Sequence, residues 1–178
     1  MSAAAPSPRR TEVLRTLARW RVPLGFGAGA AILWLAQPTR ETLLSGAAVA
    51  VVGEALRVWA AGHLEKSREV TQSGPYRFLG HPLYAGTTLM AAGLAVASRH
   101  VGVALLVAVY LVLTLGAAIR TEEAFLRERF GAEYEAYRTG RATGVRRRFS
   151  WERVRRNREY RAVAGLAAVL ALLWLKTL

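Results

Sequence analysis

The sequence predicts an all-α, multi-pass membrane bundle of about five transmembrane helices, with a cytoplasmic helix after the fourth. Three observations carry this. The chain of 178 residues is 53% hydrophobic yet has a formal charge of +13. Its apolar residues fall into long blocks with the arginines between them, a segregation that marks membrane proteins by hydropathy alone. Each block also has a polar or proline boundary, and the longer ones have the length of a span.

Residues 1–10 read as a tail of small residues, Pro and Arg. Between Thr11 and Trp20, Val13, Leu14, Leu17 and Trp20 recur at helical spacing opposite Arg15 and Arg19, which suits a short helix on the membrane surface. The first apolar block, Val22–Gln37, closes at Pro38. At 1.5 Å per residue it covers about 24 Å, short of the roughly 30 Å hydrocarbon core, so it is a thin or tilted span. It reads as a span and not a cleaved leader, because the basic stretch before it is long and further apolar blocks follow. The second block runs from Thr42 to Ala61, the third from Pro82 to Ser98, the fourth from Val101 to Ile119 and the last from Ala162 to Leu178. Ser98-Arg99-His100 makes the third and fourth a hairpin. The whole chain, 1–178, has room for one domain.

Orientation follows from the positive-inside rule. Five Arg precede the first block (residues 1–21), three Lys or Arg occupy the loop after the second, and thirteen Arg lie in 120–161, whereas the opposite loops hold Arg40 and Arg99. The N-terminus, the 63–81 loop and the 120–161 segment are therefore expected on the cytoplasmic side of a cell membrane, the inner membrane of a bacterium. The positive charge suits anionic lipid headgroups. No groove-binding motif accompanies it, so nucleic acid is not an expected partner. With no cysteine, disulfide and thiolate chemistry are excluded, and no metal site is expected.

Three places carry chemistry. Gly74-Pro75 is a turn signal, and Pro82 suits the first turn of a helix, which puts His81 at a helix N-terminus on the membrane boundary. Free N–H groups there can hold an anionic group; Tyr76 and Tyr84 also suit interfacial anchors. Within the second block, Glu54 and Arg57 lie three residues apart on one helical face. Charges inside a membrane face a cavity or a partner, so the two are expected to pair with each other and to line a site. Third, Glu123, Leu126, Phe130, Tyr134 and Tyr137 recur at helical spacing and are expected to share one face. Glu122 and Glu123 stand where the fourth span leaves the bilayer, placed to accept hydrogen bonds from a cationic, hydroxyl-bearing ligand.

Gly74-Pro-Tyr, four residues, His81-Pro-Leu-Tyr84, then a span ending in Glu122-Glu123 and Phe130-Gly-Ala-Glu-Tyr-Glu-Ala-Tyr137, resembles the isoprenylcysteine carboxyl methyltransferases and the related phospholipid methyltransferases over roughly Leu56 to Tyr137. The resemblance implies a membrane methyltransferase using S-adenosyl-L-methionine, bound at the cytoplasmic mouth of the helices. It also implies that Val70, Thr71, Tyr76, His81, Pro82, Leu83, Tyr84 and Glu122 contact that cofactor, with Glu123 beside them. Glu54, Arg57 and Arg120 are then expected to face a lipophilic acceptor, a carboxylate, amine or hydroxyl of an isoprenoid or lipid. The chain departs from the family pattern at Gly80 and Ala118, where arginine is common, and in 142–149, which lacks the usual prolines. A similar His-Pro-x-Tyr segment occurs in membrane sterol and enone reductases, which use a nicotinamide cofactor, so oxidoreductase chemistry is the alternative, with a non-enzymatic membrane adaptor the third.

Overall fold

A computed structural model describes residues 27, 29–30, 32–66, 68–141 and 146–178. The expected tail, the surface helix at 11–20 and most of the first block lie outside these. Among the described residues every regular element is helical. Helical backbone at 32–35 ends before Pro38, and five helices follow: α1 (Arg40–Ala61), α2 (Pro82–Ser98), α3 (Val101–Arg138), α4 (Trp151–Arg156) and α5 (Tyr160–Leu175), with a 3-10 turn at Gly74–Arg77.

The helix ends follow from local chemistry. α1 starts two residues before the expected Thr42 because Thr39 caps it. The Thr39 hydroxyl accepts from the Thr42 N–H at 3.2 Å, and the Thr42 hydroxyl accepts from the Thr39 N–H at 3.0 Å, a reciprocal capping box. Pro82 opens α2, whose bounds match the expected block. Arg99 then turns the chain in a left-handed conformation (φ 50°), and the His100 ring accepts from the Val103 N–H at 3.3 Å to start α3.

α3 does not stop at Ile119. It continues through the charged segment to Arg138, with a break at Gly131 (φ 45°, ψ −115°). That break corrects the expectation of one continuous face from Glu123 to Tyr137. A helical stripe persists only while the 3.6-residue period does, so Tyr134 and Tyr137 belong to a separate helical stretch beyond Gly131.

α1 and α2 run antiparallel in backbone contact. A Cβ on Gly46 would lie 2.4 Å from the Ala97 nitrogen, one on Gly53 2.5 Å from the Met90 nitrogen, and one on Gly93 2.4 Å from the Ala50 nitrogen. Such small-residue seams let membrane helices approach until their main chains touch. Around this pair, Ala36, Leu43, Ala97 and Leu173 form one buried cluster, and Ile32, Val103 and Val107 another. The Lys176 ammonium donates to the carbonyls of Leu33 (2.7 Å) and Ala36 (2.6 Å), placing a cation at the carbonyl end of the 32–35 segment, where the helix dipole favours it.

α1 and α3 are long and apolar enough to cross a membrane; α2 and α5 are apolar but shorter. Only about a third of the residues in the most apolar stretches of α1 and α3 are buried, while Leu44, Val52, Leu105, Val112 and Leu113 are exposed. A soluble core helix hides such residues. Outward-facing aliphatic surface on this scale associates the chain with a membrane.

Leucine at Gly53 or Gly93 is expected to force α1 and α2 apart and lower stability by about 3 kcal/mol. Thermal unfolding of the detergent-solubilised variants measures this, against Gly116→Leu as control, since nothing lies within 4 Å of a Cβ there.

Candidate active site

Where α1 ends, the chain must turn back to reach Pro82, and this loop is shaped by close contacts. Gly74 has φ 59°, and a Cβ on it would lie 2.5 Å from the His63 ring, so glycine is required twice over. Pro75 is fully buried behind it. The Thr71 hydroxyl accepts from the Glu65 N–H at 3.2 Å. The C-terminal arm then straps the loop down. Arg147 makes a two-pronged pair with Glu69 at 2.8 and 2.7 Å, and Arg156 meets Glu65 at 2.6 Å. Arg153 donates to the Gly62 carbonyl at 2.7 Å, and Asn157 donates to the carbonyls of Ala61 and Leu64 at 2.9 and 3.1 Å. Paired-fork arginine contacts hold geometry better than single point charges do.

The strapped loop, α3 from Ala118 to Leu126, the two tyrosines beyond the Gly131 break and the Asn157–Glu159 turn enclose a cleft of about 490 Å³. Val70, Thr71, Tyr76, His81, Pro82, Leu83, Tyr84 and Glu122 all line it. Glu123 does not line it but braces it. The His81 ring lies between the two carboxylates, its Nδ1 3.8 Å from Glu122 and its Nε2 3.5 Å from Glu123, and Glu123 also pairs with Arg127 at 3.3 Å. The His81 ring packs beside Tyr84, centroids 5.7 Å apart.

Arg120 departs from expectation: it is exposed and lines neither this cleft nor the groove described below. Ala118 and Glu122 face the cleft, and a residue two positions from each points to the far side of a 3.6-residue helix.

Although the chain carries +13 overall, the cleft wall is acidic: Glu65, Glu69, Glu122 and Glu159 face Lys66 and His81. Glu65 and Glu69 are held by the strapping arginines and Glu159 by Arg57, which leaves Glu122 as the lining carboxylate that no arginine among the described residues holds. Tyr137 closes the cleft from above, its hydroxyl donating to the Tyr76 carbonyl at 2.7 Å. Burial, then the Glu122 carboxylate, pushes the Tyr76 phenol well above the ordinary phenol range. Burial also raises Tyr134, helped by Glu123, and Tyr137, helped by Tyr134. All three remain neutral hydrogen-bonding groups at physiological pH.

Glu159 was not singled out from the sequence. It is 5% exposed and sits 2.6 Å from Arg57, which in turn lies 3.5 Å from Glu54 and donates to the Thr87 hydroxyl on α2. The expected Glu54–Arg57 pair is thus present with a second carboxylate completing it. The only sequence signal was an acid stranded among arginines at the mouth of the last apolar block. Among the described residues no group of His, Asp and Glu side chains is arranged to hold a metal ion.

Fold and site together define a helical membrane protein with a polar, acidic cleft built at one end of its apolar helices. The phospholipid methyltransferase family matches residues 40–133, more than half of the chain, and the chain belongs to that family. The match covers α1, α2 and most of α3, the elements that carry the motifs from which the resemblance was drawn. Two relatives are metal-resistance proteins by name. The nickel-cobalt-cadmium resistance protein NccN of Alcaligenes xylosoxydans xylosoxydans is 29% identical over 145 residues, 75% of this chain and 66% of that protein. The cobalt-zinc-cadmium resistance protein CzcN of Cupriavidus metallidurans is 30% identical over 127 residues, 65% of this chain and 57% of that protein. The chain therefore spans less than two thirds of either relative. No solved structure matches it.

The raised phenols determine the alkaline behaviour. The unfolded chain releases these protons near pH 10 and the folded chain only above that. Their contribution to stability is therefore complete below about pH 10 and is lost as pH rises through the folded values. Thermal unfolding is expected to stay flat from neutral pH to about 9 and fall beyond it, with a shallower fall in Tyr76→Phe.

Proposed function

We propose that the protein is an S-adenosyl-L-methionine-dependent methyltransferase acting on a lipophilic acceptor at the cytoplasmic face of a bacterial inner membrane. In this reading the helices form a five-span bundle with the N-terminus, the strapped loop and the arginine-rich segment in the cytoplasm. The observation that carries the proposal is the acidic cleft. It joins the His81–Tyr84 helix start to Glu122 in a chain of the phospholipid methyltransferase family. Its lining fits a cationic, hydroxyl-bearing cofactor: the Glu122 carboxylate, which no arginine among the described residues holds, neutral phenols at Tyr76 and Tyr137, and apolar walls from Val70, Pro82 and Leu83.

Bound there, S-adenosyl-L-methionine supplies a methyl group on a positively charged sulfur, open to direct displacement. The protein's part in such a reaction is positioning and exclusion of bulk water. Glu122 accepts hydrogen bonds from the cofactor's amino or hydroxyl groups. His81, held by Glu123, fixes the edge of the cleft, and Tyr84 packs beside it. Thr71 and Val70 set the floor that the arginine straps hold in place, and Tyr134 and Tyr137 shield the top. On the membrane side, Arg57 and Glu54 face the acceptor; Arg120, on the opposite helical face, has no contact with the cleft through which to act. The acidic wall opposes a polyanionic nicotinamide cofactor, which weighs against the reductase reading.

Calorimetry on the purified protein in detergent tests this. S-adenosylmethionine and S-adenosylhomocysteine are expected to bind and NADPH not to. Glu122→Gln and His81→Ala are each expected to weaken binding about tenfold or more, with Arg120→Ala unchanged. Binding of NADPH alone would overturn the proposal.

A further inference from the structure

A second cavity, also about 490 Å³, opens between α1 and α5 on the outside of the bundle. Val51, Val58 and Trp59 wall one side and Val163, Leu166 and Leu170 the other. Residues about one helical turn apart on both helices make a trough along the helix axes. Its only charged lining residue among those described is Glu54. Glu54 is 6% exposed, and neither of its carboxylate oxygens has a hydrogen-bond partner. The 3.5 Å approach of Arg57 supplies charge without hydrogen-bond geometry.

A buried carboxylate without donors is a costly arrangement, and here it faces an apolar trough. A ligand with a hydrocarbon body and an N–H or O–H head would relieve it. The groove also lies next to the cleft. Glu54 lines the groove, Glu159 lines the cleft, and Arg57 touches both carboxylates, so the polar ends of the two cavities are separated by one guanidinium. Two carboxylates against one arginine leave a net negative charge at the junction. A ligand carboxylate or phosphate would be repelled there, and no basic side chain among the described residues lines the groove to receive it.

We propose that this groove is the acceptor site, and that its ligand is a lipophilic alcohol or amine carrying neither a carboxylate nor a phosphate beside the reacting group. This rests on the methyltransferase reading and narrows it away from a glycerophospholipid. Arg57 must swing aside for the acceptor's head to reach the cleft, and in the transfer the acceptor's lone pair then forms the new O–C or N–C bond. The methyl–sulfur bond breaks with its electron pair passing to sulfur, and the acceptor's proton passes to Glu54.

The test uses the full chain in lipid nanodiscs and the fluorescence of Trp59, isolated by difference from Trp59→Phe. The probes are brominated dodecanol, dodecylamine, dodecanoate and dodecyl phosphate. The alcohol and amine are expected to quench Trp59 at concentrations about tenfold lower than the other two. Glu54→Gln should remove most of that preference. Ala167→Phe, which fills the trough, should abolish quenching by all four while leaving S-adenosylmethionine binding unchanged. Equal quenching by the carboxylate or phosphate, or quenching indifferent to Ala167→Phe, overturns the proposal. Absence of S-adenosylmethionine binding with the groove preference intact overturns the methyltransferase reading instead.

Discussion

The contact on which everything else in this molecule depends is the backbone-to-backbone seam between α1 and α2. Four glycines, at 46, 53, 86 and 93, remove the side chains that would hold the helices apart, and carbonyl and amide atoms meet directly across the gap. Dispersion and weak polar contacts stabilise such a seam where the hydrophobic effect has little to offer, because lipid is as apolar as the helix surface. The closeness has a chemical result. It brings Arg57 of α1 onto Thr87 of α2, leaving the guanidinium to meet both Glu54 and Glu159. A looser pair would leave that charge without a fixed address.

On this seam the polar site is assembled from pieces far apart in the chain. The 62–81 loop contributes shape, α3 contributes Glu122, and the arginine-rich arm contributes restraint and Glu159. The large positive charge divides by location. Arg147, Arg153 and Arg156 are consumed by Glu65, Glu69 and the Gly62 carbonyl, while Arg146, Arg148, Arg155 and Arg158 remain exposed. A basic protein can thus enclose an acidic cleft, because the cations on its surface and the anions in its wall answer to different neighbours.

Much of this was legible in the residues, for identifiable reasons. Pro82 and Ser98 bound α2 because proline and a hairpin turn punctuate a helix regardless of tertiary context. The His-Pro motif and Glu122 share a cleft because each stands at the end of an apolar block, and packed antiparallel helices bring such ends together. The break at Gly131 was not legible because a glycine between Phe130 and Tyr134 does not disturb a hydrophobic stripe on paper, while a positive φ interrupts the helix in space. Arg120 was assigned by its proximity in sequence to Ala118, where proximity on a helix means the wrong side. Glu159 was invisible because its partner Arg57 is distant in the chain, and long-range ion pairs leave no spacing pattern.

The Asn157–Glu159 turn ties the cleft to α5. It supplies the last wall of the cleft and the second carboxylate of the Arg57 chain, and it is joined without slack to α5. The segment that carries the recognisable motifs, from Gly74 to Tyr137, does not supply this wall. The packing of α5 against α1 holds the turn in register, so the shape of the cleft is tied to a helix that bears none of the motifs.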